Sequence, residues 1–586
     1  MGPQTSYIDL LIIGAGPAGL AAAYWASEYG LDARVIDDKP DRVTKGHADG
    51  ITCRTMEMFD SFGIAGHVYD EAALDYQIRY WRFNAEGRLD RAQSINSQAA
   101  EISRFQQCLL SQGRIEELLE DRISRRGRLR VERDVETLRL TLHKRDDPSA
   151  ETHPVQVTVR QRGGCMGDDN VETVRAKYVI GADGAHSWTR RQLGLTMRGE
   201  QAPHVWGVID LVAITDFPDI RQTCVICSEQ GNIHVVPRER GMVRLYVQLD
   251  GVSLSAGLRS EATLEIILST ARKALHPFSL ECARLDWWSV YQVGQRIADR
   301  FSAGGCVFLV GDAIHTHSPK VGQGMNVSMQ DSYNLGWKVS GVLKGQLQSH
   351  VLETYETERR PVAESLISVD QETVAFYAAR GDNIATRDLQ CFRERHYAFL
   401  SDEGNALIYA PSAIELATGI QLGRRMPSYR VINYADARPT ELASKLASDG
   451  RWGVILFAGD LRKATQLRRL EETCAALLRS RLLLTQGSSK LVTITASSRD
   501  SLPLMGLPPL LYRGENGQDR KYDVVFSDEP DVYGAFTDMY AKCGVDGEKG
   551  CLVVCRPDQH VGFIGSLEDV PSLDAFCTGI FRDSYM

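Results

Sequence analysis

The sequence offers no convincing segment for a membrane span or a secretory leader. The stretch from Leu10 to Ala26 carries no charge, but it contains three glycines and a proline. It is also short for a span of about 20 residues. A secretory leader begins with a basic segment, whereas the first Lys or Arg in this sequence is Arg34. We therefore expect a soluble protein of the cytoplasm that does not contact a membrane.

The sequence also lacks an excess of positive charge and a cysteine framework. Its net charge of −9 disfavours nucleic acid as a partner. Its 13 cysteines are scattered and odd in number, which does not indicate a set of disulfides. Cys224 and Cys227 form a single CxxC with no second pair nearby, and His315 and His317 form an isolated HxH. We predict strand cysteines, a structural histidine pair and no bound metal.

Length and composition fit a globular protein of several domains. At about 150 residues per domain, a chain of 586 residues contains three or four units. The apolar fraction of 43% and the charged fraction of 24% are ordinary for such proteins. The sequence contains no internal repeat and no long low-complexity stretch. Its function must therefore be sought in local motifs.

The most informative motif is a glycine-rich turn between an apolar strand and an Ala-rich helix. Gly14 permits the turn, Gly16 lets backbone approach a pyrophosphate, and Gly19 lets the helix pack on the strand. The helix N-terminus then presents free N–H groups to phosphate oxygens. A second apolar strand, Ala33 to Ile36, ends in Asp37, whose carboxylate can accept hydrogen bonds from a ribose. The sequence therefore predicts dinucleotide binding here.

Two further motifs have the form of a buried strand that ends in a carboxylate. The first runs from Lys177 to Ser187 and contains Asp183 and Gly184. The second runs from Val307 to Asn326, and we predict that a helix follows from about Val327 to Leu343. The N–H groups at the start of that helix can stabilise a negative charge.

The three motifs in this order resemble those of the flavoprotein aromatic hydroxylases, the para-hydroxybenzoate hydroxylase-like monooxygenases. The resemblance implies FAD held by all three segments: the pyrophosphate by the first and the adenosine ribose by Asp37. It also implies that Asp183 and Gly184 lie near FAD and the nicotinamide donor, and that Asp312 binds the ribityl chain. The implied contacts around the ribityl chain and the flavin ring are Gly311, Asp312, Pro319, Gly322, Gly324, Met325 and Asn326.

Two absences narrow the choice within flavoenzymes. A second strand-linked GxGxxG for the nicotinamide cofactor is missing, which favours a transient visit by NADPH or NADH over a dedicated domain. A WxWxIP stretch, the signature of flavin halogenases, is also missing, because Trp287-Trp288 does not match it.

A narrower resemblance, to fungal-type phenol 2-monooxygenases, covers essentially the whole chain. It rests on three segments: His47–Glu57, Val235–Glu239 with Val243–Leu249 after it, and Thr354–Ala363. Carried over residue by residue, it implies that the catalytic residues are Asp49, Arg238 and Tyr246, and that the further cofactor-binding residues are Arg54 and Gln112. His47 is a departure, since the family often has Gln or Arg there.

The resemblance implies that NADPH reduces FAD and that O₂ adds to form a C4a-hydroperoxide, which hydroxylates a small phenolic substrate ortho to its OH. Asp49, directly or through Tyr246, accepts the phenol proton, and Arg238 supplies positive charge beside flavin and phenolate. Decarboxylative hydroxylation and Baeyer–Villiger oxidation of a phenolic or polyketide-derived substrate remain open, as does a non-catalytic flavin-binding role. Taken alone, Asp49-Gly50 fits a turn and Tyr246 an ordinary strand position.

The predicted fold class is α/β: a Rossmann-like FAD-binding domain, an inserted substrate-binding sheet domain and a C-terminal thioredoxin-like α/β domain. The C-terminal part has no CxxC after its first strand at Phe457, so we expect it to be redox-inactive and to serve dimerisation or folding in a homodimer. The expected bounds are 1–75, 105–195 and 295–370 for the FAD domain, 76–104 and 196–294 for the sheet domain, 371–429 for a helical segment and linker, and 430–586 for the C-terminal domain.

Overall fold

A computed structural model describes residues 4–98, 102–127, 129–143, 152–162, 171–228, 232–249, 263–318, 322–378, 407–408, 411–484, 487–514 and 519–582. Within these ranges, the helices are all too short or too polar to cross a membrane. The described residues form three large sheets, a small three-stranded sheet and the helices that cover them.

The strands fall into four sheets and are numbered in chain order. Their bounds are β1 Gln4–Ile13, β2 Ala33–Ile36, β3 Gly50–Ile51, β4 Ala73–Leu74, β5 Gln77–Phe83, β6 Leu89–Asn96, β7 Cys108–Leu109, β8 Val131–Glu132, β9 Val135–Leu142, β10 Val155–Gln161, β11 Val171–Gly181, β12 Met197–Ile214, β13 Thr223–Cys227, β14 Ile233–Pro237, β15 Val243–Leu249, β16 Glu281–Ala298, β17 Ser302–Ala303, β18 Val307–Leu309, β19 His315–Thr316, β20 Arg430–Asn433, β21 Pro439–Glu441, β22 Trp452–Gly459, β23 Ser489–Thr495, β24 Val525–Ser527, β25 Cys551–Cys555 and β26 Val561–Gly565.

The α-helices are numbered in the same way. Their bounds are α1 Pro17–Glu28, α2 Cys53–Phe62, α3 Ala65–Glu71, α4 Gln112–Arg126, α5 Trp188–Gln192, α6 Leu264–Leu275, α7 Gly324–Leu343, α8 Thr354–Ala378, α9 Ala464–Leu477, α10 Arg481–Leu484, α11 Met539–Cys543 and α12 Val570–Thr578.

The first sheet has the order β17-β18-β11-β1-β2-β8, with β10 and β9 added beside β11. Strands β18, β11, β1, β2 and β8 are parallel to one another, whereas β17, β10 and β9 pair antiparallel. Parallel strands are buried on both faces and read as continuous apolar runs, which explains the run that precedes Gly14. The carboxyl ends of β1, β11 and β18 lead into the three predicted cofactor motifs, so the sheet brings motifs from distant parts of the chain to one edge.

The second sheet has the order β19-β16-β12-β15-β14-β13-β5-β6 and is antiparallel apart from the β13–β5 pair. Side chains alternate between its two faces. Ile209 and Leu245 belong to a buried core that includes Ile267 of α6. The alternate positions on β12 and β15, such as Asp210 and Arg244, therefore lie on the opposite face of the sheet. The predicted strand position of Cys224 and Cys227 is confirmed, since both lie on β13.

The C-terminal sheet has the order β21-β20-β24-β23-β22-β25-β26. Strands β25 and β26 form a hairpin and pair antiparallel. Cys551 and Cys555 lie on β25, and burial raises the pKa of both thiols, so they are poor nucleophiles. A single apolar core runs from α1 and α7 into this unit and includes Trp337 and Trp452.

One predicted boundary is wrong. The helix expected from about Val327 begins at Gly324.

Candidate active site

The glycine-rich turn is packed on two sides and open on the third. A Cβ added at Gly14 would lie 2.4 Å from the carbonyl oxygen of Ala182, and one at Gly19 would lie 1.9 Å from that of Gly14. A Cβ at Gly16 would meet no heavy atom of the described residues within 4 Å. Gly16 is also the N-cap of α1, where no described side chain caps the helix. The turn therefore forms a cradle with free N–H groups beside Gly16.

Asp37 supports this turn. Its carboxylate accepts hydrogen bonds from the backbone N–H of Ala15 at 2.7 Å and of Lys39 at 2.9 Å, and its side chain is buried. A carboxylate has about four lone-pair sites, so acceptor capacity remains. Ribose binding by Asp37 stays a prediction.

In the second motif, the carboxylate of Asp183 holds the start of helix α5. Asp183 accepts from the backbone N–H of Thr189 at 2.7 Å, from the Thr189 hydroxyl at 2.9 Å and from the hydroxyl of Ser187. Gly184 follows with a φ of +76°, which is a conformation that favours glycine. Asp183 thus fixes the loop beside the cradle, and any contact of this loop with the cofactor is made mainly by its backbone.

The third motif pairs a packed glycine with an exposed acid. Gly311 has a φ of +62°, and a Cβ there would lie 2.8 Å from that of Ser328 in α7. Asp312 is exposed, and its carboxylate accepts from the Ser328 hydroxyl at 3.3 Å. Its carboxylate is therefore available to a hydroxyl-rich ligand.

The start of α7 is joined to the segment that contains Asp49. The side-chain oxygen of Asn326 accepts from the backbone N–H of Thr52 at 3.0 Å. Its amide nitrogen donates to the carbonyl of Gly50 at 2.9 Å and to that of Gly322 at 2.8 Å. No described side chain caps this helix start either. Asn326 thereby fixes the distance between Asp49 and the N–H groups at the start of α7.

Around these glycines the chain is partly enclosed. Met325 is buried, and a Cβ at Gly324 would lie 3.3 Å from Nε2 of His317. Among the described residues, that His317 nitrogen is buried without a hydrogen-bond partner, and burial lowers the pKa of the ring. Pro319, also predicted here, lies outside the described residues.

Asp49 lies between two buried arginines. Its Oδ2 is 3.5 Å from Nη1 of Arg238 and 3.3 Å from Nη1 of Arg244. The side chains are 3%, 1% and 7% exposed for Arg238, Arg244 and Asp49. Oδ2 is nevertheless without a hydrogen-bond partner among the described residues. A buried carboxylate oxygen in that state is rare in folded proteins and points to a ligand.

The two arginines are held by further carboxylates. Arg244 donates to Asp210 from Nε at 2.6 Å and from Nη2 at 2.7 Å, and Arg238 donates to Asp210 at 3.2 Å. Arg238 also donates twice to Glu239, at 2.9 Å each. Burial raises the pKa of Glu239, but Arg238 lowers it to a net value below the ordinary one. We call these four residues together with Asp49 the Asp49 cluster: Asp49, Asp210, Arg238, Glu239 and Arg244.

Two tyrosine hydroxyls accompany the cluster. Tyr246 accepts a hydrogen bond from Arg244 at 3.4 Å, and burial together with Asp49 raises its pKa to about 12. The hydroxyl of Tyr291 on β16 is buried without a partner among the described residues. Burial and the neighbouring Tyr246 raise its pKa well above the ordinary value. Both tyrosines therefore stay protonated near neutral pH and can donate a hydrogen bond.

Comparisons with known proteins bear on what this site does. Residues 7–370 match the family model described as an FAD binding domain, and residues 401–584 match the phenol hydroxylase C-terminal dimerisation domain. The chain belongs to the flavoprotein aromatic hydroxylases. It is an FAD-dependent monooxygenase of the phenol 2-monooxygenase branch.

The similarity of this monooxygenase to its relatives extends over the full chain. It is 37% identical to the FAD-dependent monooxygenase ankC of Aspergillus thermomutatus, with 99% of each chain covered. It is 35% identical to phenol 2-monooxygenase fsqG of Aspergillus fumigatus, over 99% of this chain and 97% of the relative. It is 36% identical to 3-hydroxybenzoate 4-monooxygenase of Comamonas testosteroni, over 98% and 95%.

A solved structure shares the fold. The flavin-dependent monooxygenase PieE, solved in complex with FAD and substrate, aligns with a TM-score of 0.71 at 18% identity and covers 98% of this chain and 99% of its own. The predicted fold class is confirmed by this likeness. FAD fits this hydroxylase because the open side of Gly16 and the uncapped starts of α1 and α7 are available to phosphates and to a flavin ring.

Two predicted cofactor-binding side chains make other contacts. Arg54 lies in α2, forms an ion pair with Glu57 at 3.4 Å, and donates to the backbone carbonyl of Asp558 in the C-terminal unit at 3.4 Å. Its cofactor contact stays a prediction, and the described contacts of its side chain are with Glu57 and the C-terminal unit. Gln112 accepts from the backbone N–H of Ala48 at 3.3 Å and donates to Glu116 at 2.9 Å. It supports the Asp49 segment, so any cofactor contact would be additional.

Sequence reasoning missed Asp210, Arg244, Tyr291 and His317 as site residues. Asp210 and Tyr291 lie on long strands without any local motif. Arg244 was visible two residues before Tyr246, and alternation along β15 puts both on the same face of the sheet. His317 belongs to the HxH motif, whose first histidine is bound to Asp331 at 2.8 Å.

Proposed function

We propose that this monooxygenase uses NAD(P)H and O₂ to hydroxylate a phenolic ring ortho to its hydroxyl group. The balanced reaction is phenol plus O₂, NAD(P)H and a proton, giving a catechol-type product, NAD(P)⁺ and water. Bound FAD supplies the electron transfer from NAD(P)H and the activation of O₂. The protein must bind the phenol, move its proton and exclude water from the site.

The observation that carries this proposal is the state of Oδ2 of Asp49, which forms ion pairs with Arg238 and Arg244 but accepts no hydrogen bond from the described residues. It is buried, it has no hydrogen bond within the described part of the chain, and two protonated tyrosines lie on the sheet beside it. A phenol hydroxyl can donate to that oxygen, and transfer of its proton to Asp49 gives a phenolate, whose ring is a far better nucleophile. Such a positioned general base contributes about 10²- to 10⁴-fold to a rate.

The neighbours of Asp49 have distinct proposed roles. Arg238 and Arg244 form ion pairs with the carboxylate of Asp49 and hold it in place in a buried site. Asp210 and Glu239 neutralise much of the charge of these arginines. The arginines therefore contribute less positive charge to a phenolate than the sequence predicted. Tyr246 and Tyr291 donate hydrogen bonds to substrate oxygens.

The proposed cofactor contacts use backbone more than side chains. The pyrophosphate lies beside Gly16, the ribityl chain beside Asp312, and the flavin ring at the start of α7. There the unpaired N–H groups favour the negative charge of a reduced flavin.

The remaining assignments rest on pattern. NAD(P)H visits the site transiently, because one strand-linked GxGxxG serves FAD and the sequence has no second. The family model over residues 401–584 supports a homodimer. Two relatives are named for phenol and for 3-hydroxybenzoate, which supports a small phenolic substrate.

The proposal is tested by product analysis with the purified, FAD-loaded enzyme. We would measure NADPH and NADH oxidation, H₂O₂ release and product mass over simple phenols, phenolic acids and larger polycyclic phenols. We expect a mass gain of one oxygen atom, ortho to the hydroxyl. Loss of CO₂ or insertion of oxygen into a ring bond would replace this proposal with the decarboxylating or Baeyer–Villiger alternative.

The matched variants are Asp49→Asn and Asp219→Asn. We expect Asp49→Asn to bind FAD and to hydroxylate about 10²-fold more slowly, since it lacks the base. Asp219 is a buried carboxylate in the turn between β12 and β13 of the same domain; it pairs with Arg91 at 2.7 Å and accepts from Trp81 at 3.0 Å. Its substitution should leave the rate per folded enzyme unchanged. Equal rates for the two variants would remove Asp49 as the base.

A further inference from the structure

The contacts of Arg54 raise the question of what the C-terminal unit does for the active site. The turn from Arg556 to His560 joins β25 to β26 and is buried against the FAD-binding part of the chain. Its central residue, Asp558, is fully buried. Side chains from α2, α7 and α8 converge on this turn.

One carboxylate connects the turn to α7. Asp558 accepts a hydrogen bond from Nε1 of Trp337 at 3.0 Å and from Nε of Arg556 at 3.0 Å. Burial raises the pKa of Asp558, but Arg556 and His560 outweigh it and hold the pKa well below the ordinary value. Asp558 is therefore a permanent anion, so its hydrogen bond to Trp337 is of the stronger, charge-assisted kind.

A second anion completes the attachment. Glu358 of α8 accepts from Arg556 at 2.9 Å and 3.2 Å and from Nζ of Lys338 in α7 at 2.8 Å. The side chains of Lys338, Glu358, Arg556 and Asp558 are all 0% exposed. We call these four residues the Glu358 cluster.

The same turn also holds α2. The backbone carbonyl of Asp558 accepts from Nη2 of Arg54 at 3.4 Å. Arg54 is the second residue of α2, which begins directly after the segment that contains Asp49. Asp558 therefore contacts the helix that follows Asp49 and the helix whose first turn carries Asn326.

Those two helices meet again at the active site. Asn326 bonds to the backbone of Gly50 and Thr52 at 2.9 Å and 3.0 Å. Trp337 lies 11 residues, or about 16 Å, further along α7 than Asn326, at about 1.5 Å of rise per residue. Because a helix is rigid, fixing α7 at Trp337 also fixes the position of its first turn. The start of α7 and the segment before α2 are therefore both held in place.

We propose that Asp558 of the C-terminal unit is a positioning residue for the flavin site: through Trp337 and Arg54 it sets the place of the α7 start relative to Asp49. Its carboxylate and carbonyl act on the two helices and touch no reactant. The inference rests on the proposed function only in identifying Asp49 as the base; its effect on FAD is independent of any substrate.

The test is the affinity of the full-length protein for FAD, measured by flavin fluorescence, together with the visible circular dichroism of bound flavin. Trp337→Phe keeps an aromatic ring and removes the donor to Asp558. We expect it to raise the Kd for FAD about tenfold, to change the flavin spectrum and to lower product formed per NAD(P)H. Arg54→Met should act in the same direction, and Arg54→Lys, which keeps a donor, should restore part of the loss.

The matched control is Tyr540→Phe. The Tyr540 hydroxyl accepts from Gly459 at 2.8 Å and donates to Ile494 at 2.8 Å, all within the C-terminal unit. It should lower the melting temperature and leave the Kd for FAD within twofold of wild type. Wild-type FAD affinity and spectrum in Trp337→Phe, or an equal shift in Tyr540→Phe, would overturn the inference. An enzyme that binds FAD as expected but forms no hydroxylated product contradicts only the proposed function.

Discussion

The Asp49 cluster and the Glu358 cluster are both buried groups of arginines and carboxylates, but they differ in completeness. In the Glu358 cluster every side-chain nitrogen and oxygen has a hydrogen-bond partner among the described residues, whereas Oδ2 of Asp49 forms ion pairs with two arginines but accepts no hydrogen bond from the described residues. The hydroxyl of Tyr291, beside the Asp49 cluster, also has no hydrogen-bond partner among them. A satisfied polar network rigidifies a fold, and a buried polar atom left open costs free energy unless a ligand completes it. Completeness of hydrogen bonding therefore distinguishes the structural charge network of the Glu358 cluster from the proposed catalytic one of the Asp49 cluster.

The largest expected effect is on the stability of the protein, and it is expected in the Glu358 cluster. Arg556→Met leaves Glu358 and Asp558 buried with less compensation, and breaking a buried ion pair on one side costs about 3–5 kcal/mol. Chemical denaturation should show this loss in the free energy of unfolding. The comparison would fail if Arg238→Met, in the Asp49 cluster, destabilised the protein by more than Arg556→Met.

A smaller effect, on the rate of hydroxylation, is expected at Tyr246 beside the Asp49 cluster. Tyr246→Phe removes a hydroxyl whose pKa of about 12 keeps it protonated as a donor. We expect hydroxylation to slow by about tenfold, the scale of one hydrogen bond, with little change in stability. Single-turnover kinetics would measure it. A loss as large as that in Asp49→Asn would make Tyr246 the main proton acceptor instead.

The smallest expected effect is a change in pH dependence. Burial raises the pKa of Glu358, but Arg556 and Lys338 outweigh it and lower the net value. Below about pH 4.5 the unfolded chain takes up a proton at this residue while the native state does not. The free energy of unfolding therefore decreases as the pH is lowered through this range. In Glu358→Gln the slope of unfolding free energy against pH should be shallower by up to about 1.4 kcal/mol per pH unit. An unchanged slope would show that Glu358 titrates normally.

How much of this could be predicted from the sequence depends on the range of the contacts. The turn at Gly14 is a local pattern, and the strand, turn and helix follow each other in the chain, so it was predicted. Asp210 could not be predicted as a partner of Arg238 and Arg244, because strand pairing brings them together. Arg54 was assigned to the cofactor through the family resemblance, and its contact with Asp558, 504 residues away, could not be predicted from the sequence.

The helix start at Gly324 illustrates a third case. The motif around Gly322 and Asn326 was recognised, but its first turn was placed in the loop. Asn326 is fixed by Gly50 and Thr52, contacts across 276 and 274 residues that no local pattern contains. Local motifs therefore predicted the cofactor cradle, and only the folded chain reveals how Asp49 is held beside it.

The most direct test of the account asks whether Asp49 takes the proton of a bound phenol. A chromogenic phenol is titrated into the enzyme under anaerobic conditions, without NAD(P)H, at a pH below its own pKa, and the absorption of the bound form reports its ionisation. The account predicts a bound phenolate in wild type and in Asp219→Asn, and a bound neutral phenol in Asp49→Asn. The same ionisation state in wild type and Asp49→Asn would contradict it.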